Sequence, residues 1–480
     1  MNNNSLIKTL RKAVGHQFVL HEPEDLLVFE YDGSFDRAAP QAVVFPASTN
    51  EVSDVVKIAR RHNLPVVPRG AGTGLSGGAI ASKGGISLVL TRMKSVLEID
   101  PLNQIAVVEP GLVNIDLTKA ASKYGLYYAP DPSSQKACTL GGNVAENSGG
   151  PHCLAYGVTT NHILGVEVVM ADGSVTWLGG KLNDWPGYDL RGIVIGSEGT
   201  LAIVTKIALR LLRNPEAVST LLAIFTDMDD ASSAVSEIIG HGIVPAAIEM
   251  MDSLAIRAVE ASLKAGYPQD AGAVLLVEVD GLKESVREES SEIEGICLSR
   301  KAREVRKAET EGERDKLWAG RKAALGALGH LAPNYLLLDG VVPRTRLPEV
   351  LAKVKEIGER HGLPIANVFH AGDGNLHPCV LFDERKPGDT AKALAIGGEI
   401  LKLCVEVGGT LSGEHGIGTE KQAYMPLVFN DDDLEAMARL KPAFATDDMF
   451  NPGKIFPTGA SCVEMSQKSP INRAGAESYI

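Results

Sequence analysis

The stretch Pro68-Arg-Gly-Ala-Gly-Thr-Gly-Leu-Ser-Gly-Gly78 directly follows a predicted strand, Leu64–Pro68. It contains the spacing G-x-G-x-x-G at Gly72, Gly74 and Gly77. In a Rossmann nucleotide-binding fold, a helix begins at this spacing so that its N-terminus faces the pyrophosphate. Here the chain continues Ala-Ile-Ala-Ser-Lys-Gly-Gly, which does not favour a helix. The stretch therefore predicts a loop whose consecutive backbone N–H groups bind an anion without a helix.

Polar side chains and two further Gly-rich segments add to this ligand site. Arg69 and the hydroxyl groups of Thr73 and Ser76 can donate to a diphosphate. The segment Asp131–Gly150 is dense in polar donors and suits a flat heteroaromatic ligand with many polar edges, such as a flavin. Gly196–Thr200 is a third element of the same composition.

The first part of the chain, residues 1–213, is predicted to be an α+β domain, because strands, helices and Gly-rich loops mix without a regular βαβ repeat. The elements predicted from hydrophobic periodicity and turn residues are the helices Asn50–His62 and Asn114–Tyr124 and the strands Leu64–Pro68, Ile86–Leu90, Gln104–Val108, Ile163–Met170, Val175–Leu178 and Leu201–Leu212.

A second α+β domain is predicted over residues 214–425, where two helices and several strands in each half indicate a split βαβ, ferredoxin-like sheet. A C-terminal helical segment is predicted over 426–457, and the polar residues 458–480 are predicted to be disordered. The predicted elements of the second domain are the helices Asp227–Gly240, Lys283–Trp318, Leu347–His361 and Asp389–Val407, the strands Ala273–Asp280 and Tyr335–Val341, and a hairpin over Asn367–Leu381.

Two histidines bracket the turn of this hairpin in His370-Ala-Gly-Asp-Gly-Asn-Leu-His377. A two-residue type I′ turn at Asp373-Gly374 places His370 directly opposite His377, with Cβ atoms about 4.5–5.5 Å apart. Two imidazoles at that spacing can share one divalent metal, and Glu414 can complete a His/His/Glu set with an open position. His415 then stands beside the metal as a candidate general base. The alternative interpretation is a polar hairpin with two unrelated histidines.

Charge and cysteine usage exclude several classes of protein. The formal net charge is −13 and there is no basic run, so a nucleic-acid partner is not expected. The six cysteines contain no Cys-x-x-Cys pair, so no iron–sulfur cluster is expected on this chain. The sequence shows no signal peptide and no apolar run near the ~20 residues of a membrane span. It predicts a cytoplasmic protein, with peripheral membrane attachment through a partner left open.

Together, the Gly-rich elements resemble the FAD domain of the vanillyl-alcohol-oxidase/p-cresol-methylhydroxylase flavoprotein superfamily. With His370–His377, Gly413–Gly416 and Asn451–Phe456 added, the chain from about residue 20 to 457 is similar to the family of FAD-linked glycolate oxidase subunits, D-lactate dehydrogenases and D-2-hydroxyglutarate dehydrogenases. The resemblance implies a two-part FAD-binding domain of the p-cresol-methylhydroxylase type, a ferredoxin-like substrate (cap) domain, and a C-terminal segment that returns to the FAD domain.

The resemblance also implies which residues hold FAD. No histidine stands in the first loop to attach the flavin, so FAD is expected to bind non-covalently. The implied FAD-binding residues are Arg69, Gly70, Ala71, Gly72, Thr73, Gly74, Leu75, Ser76, Gly77, Asp131, Pro132, Ser133, Ser134, Thr139, Gly141, Gly142, Asn143, Asn147, Gly149, Gly150, Glu198, Gly199, Thr200, Val204 and Asn451.

The implied reaction is oxidation of a small D-2-hydroxy acid to the 2-oxo acid, by metal-assisted hydride transfer to flavin N5. The expected metal is zinc, held by His370, His377 and Glu414. His415 is the expected general base. The expected cation for the substrate carboxylate is Arg321, with Arg344 as second choice.

Substrate and partners are less closely defined by the sequence. The hydroxyglutarate branch of the family tends to place a lysine just before the aspartate that corresponds to Asp339, whereas Leu336–Leu338 precede it here. This difference favours glycolate or D-lactate over D-2-hydroxyglutarate. The resemblance also implies partner subunits, one with iron–sulfur clusters and one of flavin type, and a quinone or soluble carrier as electron acceptor. Two alternatives are a subunit that binds FAD and acts only within a multi-subunit oxidase, and a zinc hydrolase, which leaves the Gly-rich loops unexplained.

Overall fold

The computed structural model describes residues 3–182, 186–445 and 448–457, so the predicted disordered tail at 458–480 lies outside the described residues. The described chain forms two compact units. Unit one contains the residues up to Ser148, Val158–Arg213, and the residues from Glu414 onward. Unit two contains Gly149–Gly157 and Asn214–Gly413.

Unit one has two main sheets, as the two-part α+β prediction requires. Its strands are β1 Val19–Leu20, β2 Ala42–Val44, β3 Val66–Arg69, β4 Ile86–Val89, β5 Val96–Asp100, β6 Ile105–Val108, β7 Leu126–Tyr127, β8 Ile163–Val169, β9 Val175–Gly179, β10 Ile203–Arg210 and β11 Leu212–Arg213. The first sheet has the order β1-β2-β4-β3, in which β2, β4 and β3 are parallel. The second has the order β5-β6-β10-β8-β9 and is antiparallel.

Several helices of unit one supply aliphatic side chains from their buried faces to the two largest cores of this unit. Its α-helices are Asn3–Val14, Pro23–Leu26, Thr49–Arg61, Asn114–Ala121, Leu140–Glu146, Leu190–Val194 and Asp431–Phe444. The predicted helix Asn114–Tyr124 changes to a 3₁₀ turn after Ala121 and ends at Gly125, whose φ of +69° suits glycine.

Unit two is built on one antiparallel sheet. Its strands are β12 Ala217–Phe225, β13 Ala247–Asp252, β14 Ala273–Gly281, β15 Glu304–Lys307, β16 Asn334–Leu337, β17 Gly340–Val341, β18 Ile365–His370, β19 Asn375–Leu376 and β20 Pro378–Phe382. Its α-helices are Cys153–Tyr156, Met228–Gly240, Ser253–Leu263, Lys283–Ser299, Glu311–Ala327, Leu347–His361 and Asp389–Glu406. The order β15-β12-β14-β13 is that of a double split βαβ unit, which confirms the ferredoxin-like prediction, and β18, β19 and β17 extend it.

Several predicted boundaries differ from the structure. Gly149–Gly157, predicted in the first domain, belongs to unit two, and the predicted strand Tyr335–Val341 is divided between β16 and β17. The segment Lys283–Trp318, predicted to be helical throughout, contains the strand β15 between two helices, because Glu304–Lys307 pairs with β12. The predicted cap domain ends at residue 425, whereas the compact unit ends at Gly413. The reason lies in unit one, where the backbone of residues 417–419 bonds to Glu198 and to Ser76.

Short 3₁₀ helices connect several of these elements. They are His16–Phe18, Leu27–Phe29, Leu90–Arg92, Ser122–Tyr124, Thr159–Asn161, Leu328–His330, Arg344–Arg346 and Gln422–Leu427. Over the described ranges, every helix is too short or too polar to cross a bilayer.

Candidate active site

His370 is the last residue of β18 and His377 lies between β19 and β20, in a register that differs from the predicted one. β18 is antiparallel to β19 and β20, with His370 opposite Asn375 and Asn367 opposite Pro378. The predicted direct pairing of His370 with His377 is therefore wrong by two residues. Because side chains alternate with a period of two, this shift keeps both histidines on one face of the sheet. They become diagonal neighbours instead of opposed ones.

The turn itself explains the difference in register. Four residues, 371–374, connect His370 to Asn375, in place of a two-residue type I′ turn. Gly374 has a φ of +78°, but Asp373 does not adopt the positive φ that a type I′ turn also needs there. The ring centroids of His370 and His377 nevertheless lie 5.0 Å apart, at an interplanar angle of 77°.

His370 is held from behind by a buried carboxylate. Glu249 of β13 pairs directly with His370 of β18, so both side chains lie on one face of the sheet. Glu249 Oε1 lies 2.7 Å from His370 Nδ1, and Glu249 Oε2 lies 2.5 Å from Nη2 of Arg321. Burial raises the pKa of Glu249, but the charges of Arg321 and His370 outweigh it and hold the pKa below its ordinary value.

A second buried carboxylate, Asp339, lies beside His377. Its Oδ1 is 3.5 Å from Nε2 of His377. Its Oδ2 accepts hydrogen bonds from the hydroxyl of Ser412 at 2.5 Å and from the backbone N–H of Gly413 at 3.1 Å. Asp339 therefore orients the chain immediately before Glu414, the predicted carboxylate ligand.

The predicted metal ligands meet in one donor set. His370, His377 and Glu414 each offer one ligand atom, and these atoms lie within 4.8 Å of one another. Asp339, His377 and His415 form a second set within the same limit. Two imidazoles and a carboxylate are a common donor set for zinc and other first-row divalent metals. The residues present therefore fit a divalent metal.

The two candidate cations occupy different positions. Arg321, on the helix Glu311–Ala327, is 3% exposed and pairs with Glu249. Its Nε has no hydrogen-bond partner among the described residues, so a donor is left for a ligand. Arg344 is half-buried and donates from Nη1 to the carbonyl of Gly372 at 3.2 Å, in the hairpin loop. The structure thus joins Arg321 to the His370 network and places Arg344 against the turn.

The first Gly-rich loop has the open backbone that an anion site needs. Residues 70–85, all of them described, form turns and bends with no helix, as predicted. Among the described residues, none accepts a hydrogen bond from the backbone N–H groups of residues 70–78. Gly72 and Gly77 have φ values of +73° and +83°, in the region that favours glycine. This row of donors fits a diphosphate.

The side chains predicted beside this loop are more buried than a direct diphosphate contact suggests. Arg69 is 7% exposed, donates from Nη2 to the carbonyl of Tyr31 at 2.8 Å, and lies under Gly72. Its Nη1 has no partner among the described residues, and burial lowers its pKa. Ser76 is fully buried, and its carbonyl accepts from the N–H of Thr419. Thr73 is half-buried.

The second Gly-rich segment contains a short helix, Leu140–Glu146, where the sequence predicted a loop. Thr139 caps it by accepting a hydrogen bond from the N–H of Gly142 at 3.3 Å. Gly141 packs so closely that an added Cβ would lie 2.6 Å from Cβ of Pro110. The cap and this packing offset the low helix propensity of two glycines.

The third element and Asn451 are connected within unit one. The carboxylate of Glu198 accepts from the N–H groups of Ile417 at 2.7 Å and Gly418 at 2.8 Å. The side-chain amide of Asn451 donates to the carbonyls of Gly78 and Glu198. These bonds join the first loop, the third element and the C-terminal segment.

The remaining predicted FAD residues divide between the units. Gly149 and Gly150 belong to unit two, and the others belong to unit one. Those of unit one not described above are Gly70, Ala71, Gly74, Leu75, Asp131, Pro132, Ser133, Ser134, Asn143, Asn147, Gly199, Thr200 and Val204.

Sequence reasoning missed Glu249 and Asp339. Each had a signal, because a lone carboxylate in an apolar strand is unusual unless it has a partner. Glu249 interrupts Ala246-Ala-Ile-Glu-Met-Met251, and Asp339 follows Leu336-Leu-Leu338.

Comparison with known proteins identifies the family of the chain. Residues 40–179 match the family model described as FAD binding domain, and residues 214–455 match that described as FAD linked oxidases, C-terminal domain. The chain is 46% identical over 465 residues to glycolate oxidase subunit GlcD of Escherichia coli strain K12, covering 97% of this chain and 93% of that protein. The chain belongs to the FAD-linked oxidases.

Two further comparisons, one of sequence and one of fold, concern this FAD-linked oxidase. It is 34% identical over 435 residues to the D-lactate dehydrogenase of Anaerostipes hadrus, covering 88% of this chain and 90% of that one. The crystal structure of p-cresol methylhydroxylase with substrate bound superposes with a TM-score of 0.81 at 18% identity, covering 95% of this chain and 98% of that one. The structural likeness confirms the predicted fold. The chain is an FAD-dependent oxidoreductase.

Proposed function

We propose that this enzyme oxidises a small D-2-hydroxy acid, glycolate or D-lactate, to the 2-oxo acid. The observation that carries the proposal is the donor set of His370, His377 and Glu414, with His415 next in the chain. The names of the relatives, glycolate oxidase subunit and D-lactate dehydrogenase, support the same substrate class.

Two groups would supply chemistry that side chains lack. FAD, held without a covalent bond by residues 69–77 and the other Gly-rich elements, supplies a hydride acceptor at N5. A divalent metal, with zinc as our choice, held by His370, His377 and Glu414, supplies a Lewis acid that lowers the pKa of a hydroxyl group.

The other steps belong to side chains of this protein. His415 accepts the hydroxyl proton, because a neutral imidazole is a competent base near pH 7. Arg321 binds the substrate carboxylate, since guanidinium groups pair with carboxylates in a bidentate geometry. Arg344 is the second candidate for that role. Asp339 orients Ser412 and Gly413 and so positions the chain that leads to Glu414 and His415.

A short monocarboxylate is the substrate that we favour. Leu336, Leu337 and Leu338, which precede Asp339, are all buried aliphatic residues. They offer no cation for a second carboxylate, so D-2-hydroxyglutarate is the weaker alternative. Because GlcD is named as a subunit, we also propose partner subunits, one with iron–sulfur clusters and one of flavin type. They would pass electrons to a quinone or soluble carrier, with the enzyme in the cytoplasm or at the inner membrane.

Anaerobic flavin bleaching tests this proposal. Purified protein is expected to be yellow and to release FAD on acid treatment. Glycolate or D-lactate should bleach the flavin absorbance without any partner protein, whereas L-lactate and D-2-hydroxyglutarate should not. Fast bleaching by D-2-hydroxyglutarate alone would support that alternative, and bleaching only after partner subunits are added would support a subunit without independent turnover. A colourless protein would contradict the flavoenzyme proposal.

A further inference from the structure

Glu249 connects two proposed functional residues, and no other role in the reaction has been assigned to it. One carboxylate oxygen lies 2.7 Å from Nδ1 of His370, and the other lies 2.5 Å from Nη2 of Arg321. We propose that Glu249 is a positioning residue for the metal ligand His370, and that Arg321 holds the second oxygen of Glu249 in place. The inference rests on the proposed metal site.

The fold creates this contact through strand register. Glu249 stands opposite His370 where β13 pairs with β18, and it is flanked along its own strand by the buried residues Ile248 and Met250. Glu249 is 1% exposed and Arg321 is 3% exposed. Burying two charges costs several kcal/mol per ion before pairing, and hydrophobic residues often serve stability equally well. A buried pair that also meets a histidine is therefore better explained by its effect on that histidine.

The hydrogen bond determines which nitrogen of His370 can bind a metal. A neutral imidazole that donates from Nδ1 to a carboxylate presents its lone pair on Nε2. The carboxylate also prevents ring rotation and makes the imidazole a stronger donor to the metal. Without Glu249, the ring would lose both its tautomer preference and its orientation.

Arg321 fixes the other end of this contact. Its Nη2 lies 2.5 Å from Oε2 of Glu249, while Oε1 faces Nδ1 of His370. A carboxylate held at both oxygens cannot rotate away from the imidazole, so the orientation of the His370 ring is kept.

Zinc affinity of the full-length FAD-bound protein tests the inference. We would compare wild type, Glu249→Ala and Glu249→Gln by chelator competition with zinc, with FAD occupancy measured in the same samples. Losing a carboxylate behind a metal-bound histidine typically weakens metal binding by about 10–100-fold. Glu249→Ala should show that loss. Glu249→Gln should show a smaller one, because its amide oxygen still accepts from Nδ1.

Glu278→Gln provides the matched control. Glu278 is a buried glutamate on the adjoining strand β14, and it accepts hydrogen bonds from Thr220 and from Nε1 of Trp318. Its loss should lower the melting temperature but leave zinc affinity within about twofold of wild type, since it has no contact with a proposed ligand. This control separates a positioning effect from general loosening of the sheet.

The outcomes distinguish this inference from the function on which it rests. Zinc binding that is lost in His377→Ala and weakened in both Glu249 variants, but kept in Glu278→Gln, supports the inference. Wild-type zinc affinity in Glu249→Gln and Glu249→Ala overturns the inference and leaves the metal site intact. If Glu249→Ala does not fold, either unchanged affinity in Glu249→Gln or an equal loss of affinity in Glu249→Gln and Glu278→Gln overturns it. Absence of zinc binding in wild type overturns both.

Discussion

The loop at residues 70–78 offers its ligand a row of backbone N–H groups, whereas the hairpin of β18 and β19 offers side chains held by other side chains. In the loop, the residue type matters chiefly at positions where glycine permits a positive φ, as at Gly72 and Gly77. In the hairpin, each histidine has a carboxylate beside it, Glu249 or Asp339. A backbone site can be recognised from composition alone, while a side-chain site also depends on partners remote in sequence.

The largest effect is expected from removing a hairpin ligand. His377→Ala should lower the rate of flavin reduction by roughly 10³-fold or more, because a Lewis acid contributes several kcal/mol. FAD should stay bound, since the loop donors belong to unit one. The measurement is stopped-flow flavin reduction with metal and FAD content determined on the same sample. His241→Ala, at an exposed histidine, is the control. Full activity in His377→Ala, or after exhaustive chelation, would contradict the metal proposal.

A somewhat smaller loss is expected when the proposed base is replaced. His415→Asn keeps similar size and hydrogen-bonding capacity but cannot accept the proton, so flavin reduction should slow by about 10²–10⁴-fold. Glu414 is adjacent, and metal content must therefore be checked in parallel. If metal and FAD are retained and reduction proceeds at the wild-type rate, another group takes the proton and the assignment of His415 is wrong.

The loop responds to substitution through its backbone. Gly72→Ala should weaken FAD binding by about tenfold. An L-residue in the left-handed backbone region costs about 1–2 kcal/mol, and the added Cβ would collide with the guanidinium of Arg69. Gly84→Ala has the same kind of φ, +70°, but no atom within 4 Å of the added Cβ. It should lower stability only. Titration of the two apoproteins with FAD measures the FAD affinity of each variant. Equal FAD affinity in the two variants would contradict the assignment of Gly72 to the FAD site.

The same contrast explains what could be predicted from the sequence. The helix Leu347–His361 was predicted with the observed bounds, since its apolar periodicity and final Gly362 are local signals. The absence of a helix after β3 was also predicted from local sequence. The strand β15 was missed because Glu-Val-Arg-Lys is charged and mostly exposed, and only pairing with β12 makes it a strand.

Within the candidate site, residue types were predicted more accurately than their geometry. The face shared by His370 and His377 was correct, but the register depended on a turn that Asp373-Gly374 alone did not determine. Glu249 lies 121 residues from His370 in sequence, so only the pairing of β13 with β18 brings them together. Long-range pairing of this kind leaves no local pattern.

A second buried glutamate sharpens the comparison between the two regions. Glu146 lies in unit one beside Gly78 and Gly416, and its Oε2 has no hydrogen-bond partner among the described residues. Burial raises its pKa well above the ordinary value, and the charge of Glu198 adds to that effect, although Lys421 opposes it. Glu249 has a cation and a histidine beside it, and its pKa lies below the ordinary value, whereas the pKa of Glu146 is raised well above that value.

The smallest predicted effect follows from the raised pKa of Glu146. A carboxyl whose folded pKa is raised binds more protons in the folded than in the unfolded state above about pH 4.5, the ordinary value. Stability should therefore fall as pH rises, by up to about 1.4 kcal/mol per pH unit until the folded pKa is reached. Glu146→Gln cannot ionise, so its stability relative to wild type should increase with pH. Melting temperatures of both proteins between about pH 5 and about pH 8 measure this difference. Parallel curves would mean that the pKa of Glu146 is not raised in the folded protein. Charge partners would then stabilise the buried carboxylate of unit one, as they do that of Glu249 in unit two.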